Sequence, residues 1–390
     1  MTWLLIAATL VLAIPAVVLF VEVMAALIGG RRLLDQPADR NGRRPSVCVL
    51  MPAHDEAMGI RSTIEDVRRQ LGPDDRLLVV ADNCRDDTAT IARAAGAEVL
   101  ERFDRERRGK GYALAFGIDG LRPSPPQVVL VVDADCHLGA GMLDLTARRA
   151  FALQRPVQAY YEMRLTPGSP PGQLVSGFAW LVKNLVRPLG LAVLGLPCQL
   201  MGTGMAFPWP VIAQANLATG HVVEDLKLGL ELAARRTGAV FEPRACVWSR
   251  FAGTSEGIVS QRNRWEMGST AILLAEAPRA FARSIAALDP HSAGLSLDAL
   301  VPPLVLYLAL LIVAFALALL AVLPTGSLLP AVILLVALAL VGMSLIISWL
   351  AYGRSTLPPG SARDVLAYIL QKTRIYRRPA GWVRTDRNDH

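Results

Sequence analysis

Three long apolar stretches decide what this 390-residue chain can fold into. Trp3 to Gly30 is apolar apart from Glu22, and Leu300 to Leu323 and Leu328 to Tyr352 carry no charge at all. Each reaches the roughly 20 residues that cross a hydrocarbon core, and together they explain a hydrophobic content of 53%. The first reads as a retained anchor rather than a cleaved signal. No basic residue precedes it, it exceeds the roughly 7–15 residues of a signal core, and Arg31 and Arg32 follow it. Arg31, Arg32, Arg40, Arg43 and Arg44 flank its C-terminal side. Arg354, Arg363, Lys372, Arg374, Arg377, Arg378, Arg384 and Arg387 follow the third stretch, and the "PTGS" loop between the second and third is uncharged. The bias of basic residues toward the cytoplasm then predicts a multi-pass protein of the cytoplasmic (inner) membrane with its N-terminus outside. The expected divisions are an anchor over 1–30, a cytoplasmic domain over 31–299, two spans over 300–352 and a basic cytoplasmic tail over 353–390.

The net charge of +7 comes largely from these membrane-flanking residues. No nucleic-acid recognition motif accompanies them, so an anionic leaflet is the expected partner and nucleic acid is not. Five cysteines, at 48, 84, 136, 198 and 246, form no C-x-x-C and leave an odd one over. This fits free thiols in a reducing compartment and argues against a disulfide framework or a zinc site.

Between the first two apolar stretches, strands alternate with helices. Strands are predicted over 46–53 ("SVCVLMPA"), 76–82 ("RLLVVAD"), 97–100 and 128–132, with helices over 58–71, 87–95 and 110–119. This order predicts an α/β domain with a mostly parallel sheet covered on both faces. Asp55 and Glu56 follow the first strand, Asp82 ends the second, and Asp133 and Asp135 follow the fourth. In such sheets ligands bind outside the carboxyl ends of the strands, so these acids face one crevice. In extended chain, Asp133 and Asp135 would point to one side, and two like charges there call for a hard divalent cation between them. No G-x-G-x-x-G follows the first strand and no G-x-x-x-x-G-K-[ST] occurs, which excludes the common dinucleotide and NTPase loops. The glycine-rich "GKGYALAFG" (109–117) opens a helix instead.

Three further stretches are open to two readings each. Residues 172–196 are apolar but broken by Lys183, Arg187 and Pro188. They form either a helix in the membrane interface, with Phe178 and Trp180 facing lipid, or an ordinary core helix. Residues 221–236 read as a helix whose Glu224 and Asp225 either complement its dipole or do chemistry. In "QRNRWEMGS" (261–269), Gln261, Arg264 and Trp265 share one helix face. There they either grip a phosphorylated sugar or anchor a helix at the membrane.

Taken in order, "PAHDE", "ADNCRDD", "GKGYAL", "DAD", "GTG", "ED" and "QRNRW" over residues 45–268 resemble the family 2 inverting glycosyltransferases of the GT-A fold. The kinship is nearest the membrane-embedded branch that includes cellulose, chitin and hyaluronan synthases. The resemblance implies a GT-A nucleotide-sugar-binding domain plus three transmembrane helices. It implies that Pro52, Ala53, Asp55, Glu56, Asp82 and Lys110 hold a UDP-type donor. Asp133 and Asp135 would handle the diphosphate with Mg2+ or Mn2+, Asp135 as the direct ligand. Asp225 would be the general base, with Glu224 as the next candidate. Gly202 and Thr203 would line the acceptor site, and Gln261, Arg264 and Trp265 would hold acceptor and diphosphate.

The expected reaction is transfer of a sugar to a hydroxyl of a lipid-linked or polysaccharide-precursor acceptor. Polysaccharide-export proteins are possible partners. The alternatives are a processive polysaccharide synthase and an inactive subunit of an assembly complex, and the full acidic set argues against the second. Synthases of this branch usually carry four or more further spans, so three favour one sugar, or very few, per acceptor. A glycoside hydrolase would instead need two carboxylates flanking the bond and no nucleotide.

Overall fold

Runs of β-branched and aliphatic residues, too short to span a bilayer, build one mixed eight-stranded sheet. The computed structural model describes residues 2–37, 43–166, 168–218, 224–251, 270 and 272–360. These fall into two compact units. One is drawn from Leu34–Arg164 and the stretch beginning at Leu196; the other from the stretch up to Leu33, from Leu165–Gly195 and from Thr270 onward.

The first unit holds the sheet. After α1 (Thr2–Leu34), which belongs to the other unit, come β1 (Val47–Ala53), α2 (Ile60–Arg68), β2 (Arg76–Asp82) and α3 (Thr88–Ala94). Next are β3 (Glu98–Arg102), α4 (Lys110–Leu121), β4 (Val128–Val131) and β5 (His137–Leu138). Then follow α5 (Met142–Leu153), β6 (Val157–Arg164), β7 (Met205–Pro208), α9 (Glu224–Ala234) and β8 (Val240–Arg250). The sheet order is β3-β2-β1-β4-β7-β6-β8-β5. Its first four strands are parallel, as expected, so their carboxyl ends share one edge. β7 is antiparallel to both β4 and β6, while β6 and β8 are parallel. All four residues of β4 and the first five of β1 are buried, which is why these strands read as unbroken apolar runs.

The second unit is helical. It contains α1, α6 (Pro171–Leu181), a π-helical turn (Val182–Val186) and α7 (Arg187–Val193). It continues with α10 (Ala277–Ala286), α11 (Pro290–Ala299), α12 (Leu304–Leu320) and α14 (Leu329–Ser348). (The short helix α13, Val322–Thr325, also lies here, whereas α8, Trp209–Ile212, belongs to the sheet unit.) α1 and the helix Leu329–Gly353 are long and apolar enough to cross a membrane. The middle apolar stretch differs from expectation. Its helix begins only after Pro302 and Pro303, is 17 residues long, and counts as a third candidate only if joined to α11 across a 77° bend. Proline there removes backbone donors and disfavours helix in the residue before it, so the chain turns.

Two residues of the 171–193 stretch bear on its two readings. Phe178 does not face lipid: it is buried at 9% exposure, and a Cβ at Gly353 would come within 2.6 Å of its ring. Arg187, which had argued against a span, is 5% exposed. Its Nε donates to Glu22 Oε2 at 3.0 Å, and its Nη2 donates to the Asp298 carbonyl at 2.6 Å and to the Asp298 carboxylate. Glu22 and Asp298 are 2% and 3% exposed, so α1, α7 and α11 meet at a buried ion triad. Apolar periodicity cannot distinguish burial in protein from burial in lipid; the partners of Arg187 show burial in protein for that residue. α7 approaches α1 so closely that a Cβ on Gly190 would lie 2.0 Å from the Glu22 carbonyl oxygen. Gly190→Ala is therefore expected to cost about 1–3 kcal/mol or more, because the overlap is with backbone that no rotamer relieves. Heat-induced loss of monodisperse protein in detergent measures it; unchanged resistance would contradict this contact.

Candidate active site

The acids after β1 and β2 are held by a lattice of loop hydrogen bonds. Pro52 and Ala53 close β1 against Val80 and Ala81. Asp55 then adopts φ 54°, and its Oδ1 accepts the Arg85 amide N–H at 2.6 Å. The Glu56 amide donates to Thr88 Oγ1 at 2.8 Å, and the Ala57 amide to Asp86 Oδ2 at 3.1 Å. The Asp82 carboxylate is buried. Its Oδ1 takes hydrogen bonds from Arg102 Nη1 at 2.7 Å and Asn83 Nδ2 at 3.0 Å. Arg102 sits directly across from Asp82 in the β2–β3 register. Asp82 is thus the anionic half of a buried pair at the sheet edge.

A second group forms where α4, the end of β4, the 201–204 loop and α9 converge. Lys110, the first residue of α4, pairs with Asp133 and donates to the Gly202 carbonyl at 2.8 Å. The Asp133 amide donates to Thr203 Oγ1 at 3.1 Å. Gly202 and Gly204 have φ 87° and 66°, conformations open to glycine at low cost. A Cβ on Gly202 would stand 3.2 Å from Asp225 Oδ2 and 3.5 Å from Lys110 Nζ, so the Asp225 carboxylate reaches the same point. Beside it, burial and then the Asp225 charge push the Glu224 carboxyl up to about 7, with Lys110 opposing. Burial alone would lower the Lys110 pKa; Asp133 and then Glu224 more than offset this and raise it, so the side chain stays an ammonium. One cation therefore serves several carboxylates.

The expected extended geometry at Asp133 and Asp135 does not occur. β4 ends at Val131, and the Cys136 amide donates to the Asp133 carbonyl at 3.1 Å, closing a turn. Tight turning, not strand alternation, brings the two carboxylates together. Ligand atoms of Asp133, Asp135 and Cys136 lie within 4.8 Å of one another. Two carboxylates suit Mg2+ or Mn2+, whereas burial pushes the Cys136 thiol up to about 12 and leaves it a poor ligand for a hard cation. That Asp133 already draws an ammonium shows that this point calls for positive charge. The residues fit a divalent ion.

Asp133, Asp135, Lys110, Gly202, Thr203, Glu224 and Asp225 thus come from four segments to one locality, and Pro52, Ala53, Asp55, Glu56 and Asp82 line the β1–β2 part of the sheet edge. Gln261, Arg264 and Trp265 lie outside the described residues. Sequence reasoning missed Gln158, which is fully buried in β6. Its Nε2 donates to the Thr203 carbonyl at 2.9 Å and its Oε1 accepts the Met201 amide at 2.9 Å, fixing the loop that carries Gly202. An amide in an otherwise apolar inward position of "VQAYYEM" was the available signal. Arg102, Cys84 and Asp86 were also missed; Asp55, Cys84 and Asp86 form a second group of ligand atoms within 4.8 Å.

Comparison with known proteins follows the same boundaries. Residues 45–268 match the family model described as "Glycosyltransferase like family 2". The chain is 26% identical over 259 residues to the probable glycosyltransferase YdaM of Bacillus subtilis (strain 168). That alignment covers 59% of this chain and 56% of the relative, so the chain spans little more than half the relative's length. In fold it is similar to the mannosyltransferase PcManGT from Pyrobaculum calidifontis, solved in complex with GDP-Man and Mn2+, with TM-score 0.53. The identity is 18%, over 94% of this chain and 100% of that one, so the likeness is one of fold. It bears out the expected GT-A-like α/β domain with a mostly parallel sheet.

Proposed function

Since the chain belongs to glycosyltransferase like family 2, we propose that it is a membrane-bound, inverting hexosyltransferase. In this reading it moves a sugar from a nucleoside diphosphate donor, of the uridine type, to a hydroxyl of a lipid-linked or polysaccharide-precursor acceptor. The observation that carries it is the meeting of Lys110, Asp133, Gly202 and Asp225 at the end of β4. Asp82, held by Arg102 at 2.7 Å, offers an acceptor to a base N–H, and the loop around Asp55 closes over the nucleoside. Asp133 and Asp135 would hold Mg2+ or Mn2+, which when bound would supply positive charge to stabilise the departing diphosphate. Lys110 keeps Asp133 in place and adds a second positive charge on the leaving-group side. Asp225 accepts the proton of the acceptor hydroxyl as that oxygen attacks the anomeric carbon from the face opposite the diphosphate, inverting it. Gln158 positions Gly202 and Thr203 without touching substrate.

Kinship with the polymerising membrane branch rests on the Q-x-x-R-W stretch. One or very few sugars per acceptor is supported by the spans themselves. Tyr307 donates its hydroxyl to the Leu12 carbonyl and Ser344 to the Leu340 carbonyl, so these groups are spent on backbone rather than lining a polar path. The bias of basic residues supports a cytoplasmic catalytic domain and C-terminus with the N-terminus outside.

The deciding experiment incubates purified full-length protein in detergent with a panel of radiolabelled UDP- and GDP-sugars and a lipid extract. A product of one or a few added sugars, lost in excess EDTA and in Asp135→Ala, is expected. Full turnover in EDTA would refute the metal assignment, and a high-molecular-weight ladder would establish processive synthesis instead.

A further inference from the structure

The loop that carries Asp133 and Asp135 is anchored at both ends, and only the first anchor belongs to the site already described. At its start the Val132 amide donates to the Leu50 carbonyl at 3.1 Å, and the Asp133 amide donates to Thr203 Oγ1. At its far end, one residue after Cys136, His137 opens β5. Its Nδ1 is hydrogen-bonded to Oδ2 of Asp66 on α2, whose Oδ1 pairs with Arg69. Its ring is stacked on Trp248, its register partner in β8, with centroids 4.4 Å apart and planes at 22°. Trp248 in turn carries the Arg164 guanidinium, 4.1 Å from its ring centre. The chain just beyond is fixed as well. Gln70, four residues on from Asp66, donates its Nε2 to the Gly139 carbonyl at 2.9 Å, and the Gly139 amide donates to the Cys246 carbonyl at 2.8 Å. A histidine two residues past a pair of carboxylates could be read as a third ligand. Its Nδ1 is committed to Asp66, however, and the ligand atoms gathered at the loop come from Asp133, Asp135 and Cys136.

We propose that Asp66, His137 and Trp248 are positioning residues for the divalent cation: they hold Asp135 beside Asp133, so that the pair is assembled before the ion arrives. Two carboxylates this near repel each other when no cation lies between them, and the fold must oppose that repulsion. Asp133 has anchors of its own in Lys110 and the Thr203 hydroxyl. Asp135 stands two residues from His137, and the chain there cannot rely on strand pairing, because β5 is only two residues long. The polar contact to α2 and the stack on β8 supply what so short a ladder lacks. Neither Asp66 nor Trp248 touches the ion; both act through the histidine ring, as partners that orient a metal-binding segment do.

The inference rests on the cation lying at Asp133 and Asp135, and the experiment separates the two. Purified full-length protein in detergent is titrated with Mn2+ alone, the free ion is followed by its electron paramagnetic resonance signal, and Asp135→Ala sets the background. Asp66→Ala and Trp248→Leu are each expected to weaken the Asp135-dependent binding about tenfold or more. Asp66→Asn keeps the hydrogen bond and Trp248→Phe keeps the stack, so both should stay within about threefold of wild type. Far-UV circular dichroism of the same samples identifies the folded variants, whose Mn2+ affinity a merely structural role would leave unmoved. Should Trp248→Leu fail to fold, His137→Phe takes its place, since it keeps the stack, loses the contact to Asp66 and should show the same weakening. Unchanged Asp135-dependent affinity in the folded variants would overturn the proposal and leave the metal site intact. Asp66→Asn as weak as Asp66→Ala would show that the carboxylate acts through its charge and not by holding the ring, and that too would overturn it. No Asp135-dependent binding in the wild type would remove the metal assignment itself, and the proposal with it.

Discussion

Asp225→Asn is expected to lower turnover by roughly a hundredfold or more, the usual worth of a positioned general base, while leaving donor affinity within a few-fold. The amide keeps the shape beside Gly202 but cannot take a proton. The contrast with Glu224→Gln is the informative part. Burial and the Asp225 charge push the Glu224 carboxyl up to about 7, so it is only partly ionised near neutral pH, and it is the Asp225 carboxylate that reaches the point beside Gly202. Glu224→Gln is therefore expected to retain turnover within about tenfold. Steady-state kinetics with the active donor and isothermal titration of the nucleoside diphosphate measure both. If Asp225→Asn turns over within a few-fold of wild type and Glu224→Gln does not, the base is Glu224.

The second large effect belongs to the helical unit. Arg187→Met leaves Glu22 and Asp298 buried without their shared cation, and breaking a buried pair by removing one partner costs about 3–5 kcal/mol. One carboxylate oxygen, Glu22 Oε1, already lacks a hydrogen-bond partner among the described residues, so no reserve of donors is at hand. The triple variant Glu22→Gln, Arg187→Met, Asp298→Asn removes all three charges and should recover most of the loss. Monodispersity after a heating series in detergent compares the two; equal behaviour of Arg187→Met and wild type would show that the triad contributes nothing net.

The parallel half of the sheet was legible because its strands are buried on both faces and therefore appear as unbroken apolar runs. β1, β2 and β4 were placed to within about a residue. β6, β7 and β8 were not read. β6 and β8 pair in parallel across a long stretch of intervening chain, a contact without a local signature, and β7 is only four residues long. At the site, residue types were legible and geometry was not. Asp133 and Asp135 converge through a turn that their apolar lead-in conceals, and Lys110, read as opening a helix and expected to hold the donor, gave no sign of its pairing with Asp133. Gln158 and Arg102 act on other site residues rather than belonging to a motif, so spacing could not find them. The identity of the middle apolar stretch turned on Pro302 and Pro303, whose effect on direction is visible only in three dimensions.

The buried triad also has a history in time. Glu22 precedes Arg187 by 165 residues, and Arg187 precedes Asp298 by a further 111. At the pace of synthesis, about 5–20 residues per second, the first helix waits on the order of ten seconds for its cation. It waits longer still for the second carboxylate. An ionised carboxylate inside a nascent span opposes insertion by on the order of 3 kcal/mol, so the N-terminal helix must enter the bilayer protonated, shielded or only provisionally placed. Its final seating therefore waits for Arg187, and a product released before that residue is made would leave Glu22 without its cation.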